Sequence, residues 1–169
     1  MSFIEEKTET WGWLHRNEDM SLAELLTEKQ IALSLKAKTK EGVLMELAKI
    51  AAAVQPSLQN EELFQILMER EQLGTTGIGQ GIAIPHGKKK GLGGLLVCFG
   101  RNPEGVQFES VDGQPAHFFF LLLAPEESAE PYLKVLAQVT RFLKRNEIRS
   151  RLAKAKTEEE ILRVFREAD

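Results

Sequence analysis

Chemistry in this chain gathers around one histidine. The segment Gly74-Thr75-Thr76-Gly77-Ile78-Gly79-Gln80-Gly81-Ile82-Ala83-Ile84-Pro85-His86-Gly87 opens a stretch that holds six glycines between Gly74 and Gly94. Glycines let a backbone come close to a ligand and turn several N–H groups into one concavity, a common way to hold an oxyanion, phosphate above all. The pattern is not a P-loop, because Gly87-Lys88 is followed by Lys89 and lies at the wrong distance from Gly81. Nor is it a dinucleotide fingerprint, because Ile82 stands where the third glycine would be needed.

What remains is His86, fixed between Pro85 and Gly87. Proline sets its own φ and biases the preceding residue, Ile84, toward an extended conformation, so the turn that delivers His86 is restricted. A neutral imidazole nitrogen is a good nucleophile near pH 7, provided that an acceptor holds its other nitrogen as N–H. The residues alone leave phosphoryl acceptance, general-base work and a structural role open. Arg70, sixteen positions earlier, is placed to return a guanidinium fork to a phosphate beside the glycines, and Thr75 and Thr76 add hydroxyl donors. The alternative for Arg70 is an exposed helix charge paired with Glu69 or Glu71.

The elements that must position these groups follow from periodicity. Ser21-Leu22-Ala23-Glu24 matches a capping box ahead of a short helix, and residues 30–35 alternate apolar and polar like a half-buried strand. Thr39 opens a helix with Val43, Leu44, Leu47, Ile50, Ala51 and Val54 at helical spacing, ended by Pro56. Asn60 begins another, with Leu63, Phe64, Leu67 and Met68 on one face, which stops at Leu73-Gly74.

Residues 95–99 and 116–123 read as strands, the second buried on both faces because it is apolar almost throughout. Asp112-Gly113 marks a tight turn between them. A helix over 130–143 carries Leu133, Leu136, Ala137, Thr140 and Leu143 on one side, and two more helices end the chain, the last behind a capping box at Thr157-Glu158-Glu159-Glu160. Strands separated by helices predict an α/β fold with a mixed, mostly parallel β-sheet flanked by helices on both faces. The domain is expected over residues 21–169. Residues 1–20, with Trp11 and Trp13 among charges, are expected to be a poorly ordered N-terminal extension; the alternative is a Trp pair that docks on a partner.

Composition excludes several functions. With 22 basic and 25 acidic residues in 169, a net charge of −3 gives no broad cationic surface for nucleic acid. The apolar run from Phe118 to Ala124 is too short for a bilayer, and the N-terminal residues lack the basic and apolar regions of a signal peptide, so a cytoplasmic protein is expected. The single cysteine, Cys98, sits in an apolar stretch as an expected buried, inert thiol. Three scattered histidines give no metal-ligand spacing; His15 falls in the extension and His117 is expected to be a packed or edge residue. The Lys88-Lys89-Lys90 run is expected to be a solvated loop, with steering of an acidic partner as its alternative use.

The run from Arg70-Glu71 through Gly74-x-Thr76-Gly77-Ile78-Gly79-x-Gly81-Ile82-Ala83-Ile84-Pro85-His86-Gly87 resembles the active-site signature of the fructose/mannitol class of enzyme IIA domains of the bacterial phosphotransferase system, and the nitrogen-regulatory enzyme IIA proteins within it. The resemblance continues through Phe108-x-x-Val111-Asp112-Gly113-Gln114-Pro115 and the strand ending in Ala124-Pro125.

It implies that His86 takes phosphate from the phosphocarrier HPr or its nitrogen-branch counterpart, that Arg70 and Thr76 lie beside the phosphohistidine, and that no metal, nucleotide or other cofactor is needed. The family usually has a second histidine early in the helix after the Ala-Pro strand; here the matching residue is Tyr132. A phenol donates one hydrogen bond to phosphate but supplies no imidazolium charge, which leaves slower transfer or a mainly binding role as alternatives.

The expected function is therefore a regulatory phosphocarrier acting in trans. A sugar-specific component that passes phosphate to a IIB domain, and a non-catalytic binding module of the same fold, are the alternatives. Oligomeric state and target stay open.

Overall fold

The structure, a computed structural model, describes residues 21–168. Two 3-10 turns, Ala23–Leu25 and Glu28–Gln30, precede strand β1 (Ile31–Ala32). Helices α1 (Lys40–Val54) and α2 (Asn60–Gln72) follow, then the short strands β2 (Gly77–Gly79), β3 (Ile82–Ala83) and β4 (His86–Lys89). A long antiparallel pair, β5 (Leu96–Val106) and β6 (Ala116–Pro125), leads to helices α3 (Glu130–Leu143), α4 (Asn146–Lys154) and α5 (Glu158–Ala168).

The sheet runs β1-β5-β6-β3-β2, with β4 also paired to β6. The β1–β5, β3–β6 and β4–β6 pairs are parallel, and the β2–β3 and β5–β6 pairs antiparallel, so the sheet is mixed and mostly parallel as expected. Strand β6 is buried almost throughout and serves two cores. Phe118, Phe120, Leu122 and Ala124 join Val135, Val139, Phe142, Ile161 and Phe165 of α3 and α5 on one face. Ala116, Phe119, Leu121 and Leu123 join Val43, Leu44, Leu47, Leu63 and Leu67 of α1 and α2 on the other. The period-2 alternation of side chains on one apolar strand thus nucleates both layers.

Helix α1 begins where Thr39 Oγ1 accepts from Gly42 N at 3.1 Å, and α2 ends at Leu73-Gly74, both as the sequence predicts. Several elements differ. The half-buried strand expected over 30–35 keeps a regular ladder only at Ile31–Ala32. The Ser21 capping box yields only a 3-10 turn, with Ser21 Oγ accepting from Glu24 N at 3.3 Å. The reciprocal bond forms instead at the next turn, where Gln30 Oε1 accepts from Thr27 N at 2.9 Å.

Strand β5 also extends past the expected 95–99 to Val106, because polar Arg101 and Asn102 find partners inside the fold. Arg101 donates to Leu33 O at 2.9 Å and to Leu152 O at 2.7 Å, closing the C-terminal carbonyls of α4 that no helical N–H reaches. The inward stripe of α3 is Tyr132, Val135, Val139, Phe142 and Leu143; of the expected set Leu143 belongs to it and Leu136 packs against the same core, but Leu133 is 62% exposed. Both stripes are apolar, and only contact with β6 and α5 selects between them.

The N-terminal extension, with its two tryptophans, lies outside the described residues. Cys98 is buried against α1 and α2, and burial pushes its thiol up to about 12, so it stays protonated. His117 is a half-buried, packed residue on the interior strand β6, with its Nδ1 3.1 Å from Asn102 O.

Candidate functional site

Strands β3 and β4 run along the same side of β6 in one unbroken register: Ile82 and Ala83 face Phe118 and Phe119, and His86 to Lys89 face Leu122 to Pro125. The two are one strand interrupted at Ile84-Pro85. Up to Ile84 its far side is covered, with Ile84 N donating to Thr76 O at 3.0 Å. Beyond Pro85 β6 is the only paired neighbour among the described residues, through Leu122 N to Pro85 O at 3.0 Å. His86 is therefore the first residue of the segment on an open edge, and two helices reach it there.

From α2, Arg70 Nε donates to His86 Nε2 at 3.1 Å, and Arg70 Nη1 donates to Gly74 O at 2.8 Å. From α3, Tyr132 lies with its ring centroid 5.8 Å from that of His86. His86 Nδ1 is 2.8 Å from Ile84 O. A carbonyl only accepts and a guanidinium N–H only donates, so both contacts are satisfied by a single tautomer: the proton on Nδ1, the lone pair on Nε2. Burial lowers the His86 pKa below its usual 6.5; the bond to Ile84 opposes this, the Arg70 charge adds to it, and the Glu71 charge opposes it. The ring is neutral at physiological pH, with its nucleophilic nitrogen facing a cation.

The pairing of Arg70 with Glu69 or Glu71 gives way to this contact. Glu71 points the other way, into the protein, where Lys40 Nζ lies 2.7 Å from its Oε2 and the two side chains are 8% and 3% exposed. The same carboxylate accepts from Thr76 N at 3.1 and 3.2 Å and from the Thr76 hydroxyl. Thr76 is thus fixed beside the site with its hydroxyl given to Glu71. Lys40 and Glu71 escaped the sequence reading, since a Glu next to Arg on a helix looks like an ordinary surface pair. The signal was the helix period, which puts Glu71 on the inward stripe of Leu63 and Leu67.

The glycine-rich stretch does not form the open phosphate cradle expected of it. Three of its N–H groups are taken by side chains of the protein: Gly77 N by Thr75 Oγ1 at 3.0 Å, Gln80 N by Asp112 Oδ2 at 2.9 Å, and Thr76 N by Glu71. The glycines instead make a tight β2–β3 connection in which Gly79, Gln80 and Gly81 have φ of 92°, 57° and 78°. Bonds from Gln80 N, and then Gln114 N, hold the Asp112 carboxyl below the usual range. Gly87 has a different role. A Cβ there would stand 2.5 Å from Ile66 Cγ2, so its absence lets α2 lie close enough for Arg70 to reach the strand edge.

The lysine run is not a solvated loop at its start. Lys88 and Lys89 belong to β4 and alternate: Lys89 Nζ pairs with Glu62 of α2 at 2.9 Å, and Lys88 Nζ sits 5.3 Å over the Tyr132 ring. Burial pushes the Tyr132 phenol up to about 12, against the pull of the Arg70 charge, so it is a neutral donor. Among the described residues, no group of three metal-ligating side chains comes together, and no helix is long and apolar enough to cross a membrane.

Fold and site together define an α/β domain that presents one neutral, arginine-clamped histidine at a sheet edge. A family model described as the phosphoenolpyruvate-dependent sugar phosphotransferase system, EIIA 2, matches residues 24–168, and the chain belongs to that family. It is 40% identical over 147 residues to the nitrogen regulatory protein of Bradyrhizobium diazoefficiens, an alignment covering 86% of this chain and 95% of that one. It is 35% identical over 150 residues to the fructose-specific EIIABC component of Bacillus subtilis, covering 89% of this chain but 24% of that protein, so it spans about a quarter of that longer relative. The crystal structure of the nitrogen regulatory protein IIA-Ntr from Neisseria meningitidis superposes with a TM-score of 0.80 at 32% identity, covering 85% of this chain and 98% of that one. The IIA mannitol structure from Escherichia coli superposes at 0.67 with 26% identity, covering 83% and 98%.

Proposed function

We propose that His86 accepts a phosphoryl group on Nε2 from the phosphohistidine of an HPr-type carrier in the cytoplasm, and that the phosphorylated and free forms of the chain act differently on a partner in trans. The observation that carries this reading is the pair of contacts on His86, with Ile84 O holding the Nδ1 proton and Arg70 marking Nε2 as the lone pair. In the transfer, the Nε2 lone pair forms the new N–P bond while the donor's N–P bond breaks and its electron pair returns to the donor ring. The Nδ1 proton stays on Nδ1, and the new positive charge on the imidazole is met by Ile84 O.

Arg70 Nε must leave Nε2 for attack to occur, and the guanidinium then has the phosphoryl oxygens as acceptors. Tyr132 contributes a neutral hydroxyl donor, and Thr76 acts as a positioning residue through Glu71. The chemistry is positioning plus charge stabilisation, and it calls for no metal, nucleotide or other cofactor.

Similarity to nitrogen regulatory proteins over almost their whole length supports a regulatory role. Relatives named as fructose-specific components, and a mannitol IIA solved in complex with phosphorylated IIB, support the second reading, transfer to a IIB domain.

The test is incubation of the chain with phosphorylated HPr-type donor. Acid-labile phosphate is expected on the wild type and is lost in His86→Ala; label that persists in His86→Ala overturns the assignment. Onward transfer to a IIB protein at rates comparable to loading would select the sugar-specific reading.

A further inference from the structure

A phosphoryl group on Nε2 brings close to two negative charges to an edge where Arg70 is the cation in direct contact with the ring, and where Tyr132 adds a neutral phenol. The strand carrying His86 supplies another cation. Strand β4 keeps a regular parallel register with β6, so residues 86 and 88 share one face and residue 87 takes the other. The neighbours agree: Gly87 abuts Ile66 of α2, whereas His86 and Lys88 both meet Tyr132 of α3. The Lys88 ammonium rests 5.3 Å from the Tyr132 ring centroid, and the His86 ring lies 5.8 Å from that same centroid.

We propose that Lys88 is the second phosphate-binding cation of this site, held over the Tyr132 ring while His86 is free and moving to the phosphoryl oxygens once Nε2 is phosphorylated. The inference rests on the reading of His86 as the phosphoryl acceptor.

The physical chemistry favours such a move. A cation–π contact at an exposed ammonium is weak, whereas an ammonium against a phosphoryl dianion forms a charge-assisted hydrogen bond. Lysine, with a compact charge on a flexible four-carbon stem, can change partners without moving the strand. Lys89 is already paired with Glu62 on the opposite face, and Lys90 lies beyond the end of β4, so Lys88 is the lysine of the three that β4 carries on the His86 face. Tyr132 thereby has a use as an aromatic perch that keeps the ammonium on the face of β4 that carries the nucleophile.

The groups facing the phosphoryl position are Arg70 from α2, Lys88 from β4 itself and Tyr132 from α3, while Glu71, turned inward to Lys40, acts on the ring only through its charge. Removing Lys88 leaves Arg70 as the one cation in this set, which raises the pKa of the phosphoryl group and slows its arrival.

The experiment uses the full chain and phosphoramidate as a small phosphoryl donor, so no partner protein enters the result. Wild type, Lys88→Gln, Lys88→Arg and Lys90→Gln are loaded, the rate is followed by 31P NMR, and the phosphohistidine resonance is titrated with pH. Lys88→Gln is expected to load roughly tenfold more slowly and to show a phosphoryl pKa raised by about half a unit to one unit. Lys88→Arg is expected to restore most of both effects, and Lys90→Gln to match wild type.

A Lys88→Gln variant with the wild-type rate and titration overturns the inference, as does a Lys90→Gln effect of equal size, which would reduce it to general surface charge. If the wild-type chain takes no phosphoryl group from either phosphoramidate or a protein donor, the His86 reading falls and takes this inference with it. A loaded wild type beside an indifferent Lys88→Gln removes the Lys88 inference alone.

Discussion

Arg70 Nε stands 3.1 Å from His86 Nε2, the one nitrogen of that ring left with a lone pair once Nδ1 is bound to Ile84 O. The guanidinium both marks the nucleophile and waits where the phosphoryl oxygens would arrive. Replacing it by Arg70→Gln is expected to slow phosphoryl loading by roughly 10²- to 10³-fold, the usual loss when one preorganised donor to a developing anion is removed. Arg70→Lys should recover only part of that rate, because a point charge lacks the planar fork. Stopped loading assays on the two variants check this, and equal rates for wild type and Arg70→Gln would remove Arg70 from the site.

The acidity of His86 gives a second expectation. Burial first, and the Arg70 charge after it, lower the folded-state pKa below 6.5. Below pH 6.5 the unfolded chain therefore binds this proton more readily than the folded one. The His86 contribution opposes folding increasingly as pH falls from 6.5 toward the folded value, and vanishes above that window. Loading should stay flat from pH 8 to below 6.5, and an NMR titration of His86 should give a midpoint under 6.5 that rises in Arg70→Gln. A midpoint above 6.5 in the wild type would contradict this account.

The ion pair beneath the site should show in stability. Lys40 and Glu71 are both buried and 2.7 Å apart, and Glu71 also takes the N–H and hydroxyl of Thr76. Lys40→Met leaves an unpaired buried carboxylate and is expected to cost about 3 kcal/mol, or a Tm lower by roughly 6 to 12 °C. The double variant Lys40→Met/Glu71→Gln should regain part of that loss. Urea unfolding decides, and a single variant as stable as wild type would mean that the pair holds nothing in place.

Gly87 offers a purely steric test. A methyl there meets Ile66 Cγ2 at 2.5 Å, and Ile66 is β-branched with little freedom to turn away. Gly87→Ala is expected to lose about 1–3 kcal/mol and to slow loading by displacing α2, and so Arg70, from the strand edge. Adding Ile66→Ala should return the loading rate even though it truncates a half-buried side chain. No recovery in the double variant would show that Gly87 matters for another reason.

Tyr132 stands where the resemblance leads one to expect a second histidine. Its phenol stays protonated up to about pH 12, so it brings no charge to the phosphoryl group. Tyr132→His is expected to load up to about tenfold faster, equivalent to about 1.4 kcal/mol in the barrier. A slower variant would indicate that the aromatic perch for Lys88 outweighs the added imidazole.

Much of the frame could be read from residue order, because each signal was local. Thr39 and Gly74 bracket helices whose ends are set by capping and by a residue free to leave the helix, and the apolar run of β6 states that both of its faces are covered. His86 was legible for the same reason, since Pro85 restricts the turn that delivers it before any other element is present.

What the sequence by itself determined was thus the helices, the doubly buried strand, the histidine and the identity of its expected neighbours. Only the tertiary structure decided which partners those neighbours take. Arg70 and Glu71 are adjacent in the chain, yet the helical twist and the approach of α2 over Gly87 send one to His86 and the other to Lys40. In the glycine-rich segment, N–H groups free in principle to hold an anion are claimed instead: Gly77 N by neighbouring Thr75, Thr76 N by Glu71 of α2, and Gln80 N by Asp112 from the turn before β6. The inward stripe of α3, and with it the placing of Tyr132 between His86 and Lys88, was chosen by packing against β6 and α5. Local order fixes what each residue can offer; which offer is taken depends on groups far away in the chain, whose distances exist only once the two cores have closed on the sheet.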